Sequence, residues 1–166
     1  MRILIVRHGQ AGKADPGKHP DDDLRPLTPK GRKAFRRAAK GLRSLGPEPG
    51  IILSSPAARA RQTAELLARA LGLAAGRIAD APELHHAADP AEALARLSRR
   101  RLRGTVALVG HEPWLGEFLS LLVAGDKRAR FALDKGGACL VESPSPAKGK
   151  GRLHWLLTQE QLAGLA

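Results

Sequence analysis

The sequence predicts a three-layer α/β/α sandwich with a largely parallel central sheet. Short continuous apolar runs, the pattern of strands buried on both faces, alternate with stretches whose apolar residues recur at helical spacing. Caps and glycine or proline stops mark most of the boundaries between them. Neither an internal repeat nor a linker interrupts the 166 residues, so a single domain over 1–166 is expected.

Taken in order, Ile3 to Val6 is the first strand, and it runs straight into Arg7, His8 and Gly9. Thr28 and Pro29 read as an N-cap followed by proline at the first helical position. Ala34, Phe35, Ala38, Ala39, Leu42 and Leu45 then form one helical stripe, ended by Gly46-Pro47. Gly50 to Ser54 is a second strand. Ala60, Ala64, Leu67, Ala68 and Leu71 make a second helix that stops at Gly72. Asp89-Pro-Ala-Glu92 has the form of a capping box opening a third helix. Thr105 to Val109 is another buried strand, followed by a fourth helical stripe through Trp114, Leu115, Phe118, Leu119, Leu122 and Val123. Ala138 to Glu142 and Arg152 to Leu157 read as later strands joined by a Ser/Pro/Lys/Gly turn. Thr158 to Gln161 caps a short last helix.

Composition narrows the function classes. No apolar run approaches the ~18 residues needed to span a bilayer, and Ile3 to Val6 is too short for a secretion signal. Cys139 is alone, so no intrachain disulfide or cysteine metal cluster is possible and a reducing cytoplasm fits best. The formal charge of +12 predicts attraction to anions. With no Tyr, three Phe and two Trp, base-stacking platforms are lacking and nucleic acid is disfavoured as a partner.

Ligands of open α/β sheets bind at the carboxyl ends of the strands. Three strands here end in polar residues: Arg7-His8-Gly9, Ser54-Ser-Pro-Ala-Ala-Arg59 and Gly110-His111-Glu-Pro. Parallel pairing would bring two histidines and two arginines to one edge. Arg7 and Arg59 can each offer a planar fork to phosphoryl oxygens, and His111 a further hydrogen bond. His8 is then free to attack phosphorus through an unprotonated ring nitrogen, which nearby arginines help keep unprotonated. Gly9 is expected to let the chain turn and a tetrahedral group approach, and the helix after Pro113 to add amide donors.

These motifs resemble the histidine phosphatase superfamily, with its phosphoglycerate mutase-like fold. They are Arg7-His8-Gly9, Ser55-Pro-x-x-Arg59-Ala-x-Gln62-Thr63-Ala64 and Gly110-His111, in that order. Asp22-x-x-Arg25-Pro-Leu-Thr-x-x-Gly31 is similar to the small, SixA-like branch of phosphohistidine phosphatases. The resemblance implies that His8 is the phosphorylated nucleophile, that Arg7, Arg59 and His111 form the phosphate pocket, and that no metal or organic cofactor is needed. It adds Gly9 and Gln10 as substrate contacts, and Glu83 as the acid–base residue by position. The short stretch from Glu65 to Gly110 leaves little chain for a lid, which suits a phosphate displayed on a protein. The expected substrate is therefore phosphohistidine on a protein. A phosphatase of small phosphate esters, or less readily a mutase, would use the same chemistry, and a polyanion-binding module is the alternative from another class.

Other features read as surface. Asp21 to Asp23 are expected in a solvated loop, with metal binding as the lesser alternative, and the segment from Gly12 to Asp23 is expected to flank the entrance. His85 and His86, as neighbours in an extended segment, should point apart and so form no metal site with Asp89. Arg99 to Arg101 and the charges from Lys30 to Arg43 are expected on solvated helix faces. The sequence leaves oligomeric state open.

Overall fold

The buried apolar runs become the middle of one six-stranded sheet. The computed structural model describes residues 1–100 and 102–166; Arg101, read above with Arg99 and Arg100, lies outside the described residues. The elements are β1 (Arg2–Arg7), α1 (Pro29–Ser44), β2 (Pro49–Ser54), α2 (Ala58–Leu71), β3 (Ile78–Asp80), α3 (Pro90–Arg99), β4 (Thr105–Gly110), α4 (Trp114–Ala124), β5 (Ala138–Glu142), β6 (Arg152–Leu157) and α5 (Gln159–Gly164). Strand order is β3-β2-β4-β1-β5-β6. The first four of these are parallel, while β5 and β6 are antiparallel additions.

Side-chain alternation splits the core in two. Ile3 and Ile5 of β1 and Val106 and Leu108 of β4 face α3 and α4. Leu4 and Val6, with Ala107 and Val109, face α1, α2 and α5. Both faces of the central strands are therefore covered, which is why they read as unbroken apolar runs. Among the described residues no helix is long and apolar enough to cross a membrane. Cys139 sits fully buried in this core, and burial pushes its thiol pKa up, away from reactivity.

The capping chemistry holds in most places. Thr28 accepts from the Gly31 amide at the start of α1, and Thr158 and Gln161 form a reciprocal capping box on α5. The third helix differs: Asp89 accepts from the Ala91 amide, but Glu92 turns to Arg96 at 2.6 Å, so no box closes. The three-residue edge strand β3 has no sequence signal of its own, being too short to show a period.

Gly9 and Gly31 meet their surroundings differently. A Cβ placed on Gly9 would lie 3.4 Å from Phe35 Cβ and 3.5 Å from Leu27 Cδ2, ordinary contact distances. A Cβ on Gly31 would instead collide with the Gln10 carbonyl. The missing side chain of Gly31 therefore lets α1 settle against the chain leaving β1.

Gly31→Ala tests this packing. Helix propensity alone would gain at most about 1 kcal/mol from alanine. Overpacking against a fixed carbonyl costs about 1–3 kcal/mol, so the net change should be destabilising. A lower urea midpoint is expected, and a raised one would show that α1 does not depend on this close approach.

Candidate active site

The strand pairing places the catalytic candidates. Arg7 stands opposite Gly110 and Ser54 opposite Val109. The ladder then runs one residue further on each side, with His8 N–H donating to Gly110 O at 3.0 Å and Ser55 N–H to Val109 O at 2.9 Å. His8, Ser55 and His111 are thus held on rigid backbone at the same sheet edge. Arg59 reaches them from the first turn of α2. A cleft of about 320 Å³ opens there, lined by Arg7, His8, Asp22, Arg59, His86 and His111 among others.

His8 is only 7% exposed, and its Nδ1 lies 2.7 Å from the Gly9 carbonyl. A carbonyl can only accept, so Nδ1 carries the proton and Nε2 holds the lone pair. Burial lowers the pKa to about 4; the Gly9 hydrogen bond opposes this, and the positive charges of Arg59, Arg7 and Arg25 add to it. The ring is therefore neutral at physiological pH. His111, 2% exposed, lies 5.1 Å from His8 between ring centroids, and its Nε2 is 2.8 Å from Ser55 Oγ. Burial, followed by neighbouring His8 and Arg59, pulls its pKa down to about 2.

The arginines are held in place by fixed acceptors. Arg7 donates through one terminal nitrogen to Leu133 O at 2.7 Å. Arg59, 4% exposed, donates to Asp22 O at 2.7 Å and lies 3.2 Å from Asp22 Oδ2. Asp22 is also gripped by Arg25, whose Nε donates to Oδ1 at 2.7 Å and whose second nitrogen donates to Oδ2 at 3.1 Å. That hydrogen bonding holds the Asp22 carboxyl below the usual carboxylate range. Among the described residues, three buried nitrogens at the cleft have no partner, Arg7 Nε, Arg59 Nε and His111 Nδ1, the last a donor when Ser55 Oγ–H donates to His111 Nε2. An arrangement of this kind suits a tetrahedral oxyanion, whose oxygens only accept.

The structure brings Arg7, His8, Arg59 and His111 together, as the motifs implied, but three other candidates lie elsewhere. Gly9 is buried beneath the site, where its N–H donates to Thr63 Oγ1 at 3.1 Å. Gln10 is exposed away from the cleft, and its carbonyl accepts from the Thr28 amide. Glu83 is buried and turned toward Arg100, with N···O at 2.6 Å, and it lines a separate depression beside α3. It does not reach the phosphate cleft, because the turn at 82–84 points it away from the sheet edge. The amide donors expected from the start of α4 are also partly committed, since Gly116 N–H donates to Glu112 Oε2 at 3.2 Å and Leu115 N–H to the His111 carbonyl at 2.8 Å.

Other residues emerge that pattern reading assigned to solvent. Asp22 ties two arginines together, and Asp23 accepts from His85 Nε2 at 2.8 Å. The i, i+3 spacing of Asp22 and Arg25 was the available signal for the first. His85 and His86 lie in a turn, so their rings stand side by side with centroids 4.0 Å apart instead of pointing in opposite directions. Gln62 and Thr63 serve the architecture: Gln62 accepts from Leu27 N–H, and Thr63 joins Gly9 to the Arg59 carbonyl.

A sheet edge that gathers two buried histidines and several fixed cations around one cleft is suited to binding an anion. Comparison with known proteins names the class. Residues 3–88 match the family model of the histidine phosphatase superfamily (branch 1). An uncharacterised protein of Picosynechococcus sp. is 34% identical over 143 residues, covering 82% of each chain. Phosphohistidine phosphatase SixA of Escherichia coli is 27% identical over 160 residues, covering 95% of this chain and 94% of that one. A structure of the protein histidine phosphatase SixA complexed with tungstate matches with a TM-score of 0.81 at 27% identity, covering 98% and 99% of the two chains. The chain belongs to the histidine phosphatase superfamily, and its relatives support a phosphatase.

Burial of two neutral imidazoles has a consequence for stability. Unfolded, both rings take up protons near 6.5; folded, they stay neutral down to about 4 and about 2. Over that interval the unfolded chain binds more protons, so stability must fall as pH drops. Between pH 7 and 5 the two rings together should remove about 4 kcal/mol. Asp22 titrates below this window and does not contribute. Urea midpoints should fall steadily from pH 7 to 5, and a His8→Asn/His111→Asn double variant should lose most of that slope. Equal wild-type midpoints at the two pH values would contradict the buried neutral pair.

Proposed function

We propose that this protein removes phosphate from phosphohistidine on a protein partner in the cytoplasm, through a covalent phosphoryl intermediate on His8. The three unpartnered buried donors beside a neutral His8 carry the reading. Leaving a buried donor unpaired costs about 1–3 kcal/mol, and a phosphoryl group relieves all three at once. With Ser55 Oγ–H donating to His111 Nε2, the His111 proton sits on Nδ1 and joins Arg7 and Arg59 in facing the equatorial oxygens. His8 Nε2 attacks in line, and water releases the phosphate afterwards. Residues held in place need little reorganisation when charge develops.

Support for a protein substrate comes from the surface. Helix α1 exposes Lys30, Lys33, Arg36, Arg37, Lys40 and Arg43 and contains no acidic residue. Its first turn lies beside the chain leaving β1, where Thr28 N–H donates to the Gln10 carbonyl. Such a face attracts an acidic protein displaying a phosphohistidine. The relationship to phosphohistidine phosphatase SixA supports the same choice.

A substrate panel under chelating conditions tests this reading. Phosphohistidine on an acidic protein should give a higher kcat/KM than phosphoglycerate or other small esters. That advantage should shrink with salt, because exposed charges are screened over about 10 Å at 0.1 M. His8→Ala should be inactive on every substrate. A small ester exceeding every phosphohistidine protein would move the assignment to ester hydrolysis with the same nucleophile.

A further inference from the structure

The turn after β3 carries a histidine pair that phosphate binding does not use, and its contacts run in one direction. Ala87 N–H donates to His85 Nδ1 at 3.2 Å, which leaves that ring's proton on Nε2. Nε2–H in turn donates to Asp23 Oδ2 at 2.8 Å. The second carboxylate oxygen, Asp23 Oδ1, is buried without a hydrogen bond and faces His86 Nδ1 at 3.8 Å. His86 stands on the cleft wall, edge-on to His111 with centroids 5.6 Å apart. Ligand atoms of Asp23, His85 and His86 also fall within 4.8 Å of one another, a spacing a cation would accept. His85 argues against that use, since metal binding through Nε2 would displace its proton and break both of its contacts.

We propose, resting on the histidine phosphatase reading above, that His86 is the proton donor to the leaving group and that Asp23 is the positioning residue behind it. The other cleft groups are committed. Arginines do not release protons, and Asp22 is held ionised between two of them. Both Glu112 oxygens accept backbone amides, and Glu83 lies outside the cleft. His111 has no proton to give as an acid near neutrality, because it is already the neutral ring. Lys135 is an exposed rim ammonium with no comparable orienting contact among the described residues.

In the first half-reaction the His8 Nε2 lone pair forms a bond to phosphorus. The bond from phosphorus to the leaving oxygen or nitrogen breaks, and the departing atom keeps the electron pair and takes the proton from His86 Nε2. While His86 holds that proton its ring is positive, and the Asp23 carboxylate faces the charge. In the second half a water oxygen bonds to phosphorus, its proton passes to His86 Nε2, and the N–P electron pair returns to His8. The sum is hydrolysis, with both histidines restored.

Leaving-group dependence tests the assignment. With phenyl phosphate, whose leaving oxygen needs a proton, His86→Ala should slow single-turnover phosphorylation of His8 by ~10²-fold or more. With 2,4-dinitrophenyl phosphate, whose leaving group departs without one, the loss should stay below about fivefold. Asp23→Asn should show the same selective pattern, smaller in size, whereas a merely structural effect would slow both esters alike. Urea unfolding of each variant checks that the fold is retained. Equal losses on the two esters, or none, would overturn the proposal, as would loss of wild-type activity in EDTA, which would assign the cluster to a cation. A His8→Ala protein that still turned over either ester would instead remove the nucleophile, and with it the reading on which this step rests.

Discussion

The hydrogen bond from His8 Nδ1–H to the Gly9 carbonyl decides what the site can do. It spans 2.7 Å within one buried turn and fixes the tautomer that leaves Nε2 with its lone pair. Its geometry depends on the chain just past β1 being immobile. That chain is held by the His8 amide on Gly110, by the Gly9 amide on Thr63, and by α1 pressed close through Gly31. Substitutions in α1 or α2 that touch no ligand can therefore disturb the nucleophile.

Electrostatics and burial act in the same direction here. Burial makes a charged histidine costly here, and three nearby arginines add to the penalty, so the ring remains neutral. The arginines would repel one another without Asp22, which uses both oxygens to hold Arg25 and one to approach Arg59. A single carboxylate thus joins two of the three arginines without occupying Arg59 Nε. It lines the cleft itself, so it offsets part of the positive charge gathered there.

The middle of the fold was legible because its physics is local and repetitive. Continuous apolar runs marked β1, β2 and β4, and Thr28-Pro29 and Thr158-Gln161 marked helix starts. Arg7, His8, Arg59 and His111 were readable because each directly follows or closely trails a strand end, and parallel pairing brings such ends together. What escaped depended on direction rather than on position. Glu83 sits at a suitable place in sequence, yet a 3-10 turn aims it at Arg100. His85 and His86 were read as extended neighbours, and a turn reversed their relationship. Asp22 and Asp23 looked like solvated charges because their partners lie 37 and 62 residues away.

The tautomer assignment makes the site's chemistry specific to one atom. Wild-type protein should be phosphorylated with a labelled substrate, quenched without acid and examined by ³¹P and ¹⁵N NMR of the trapped phosphohistidine. Phosphate bonded to Nε2 of His8 is the predicted result. Phosphate on Nδ1, or on a residue other than His8, would contradict the account at its centre.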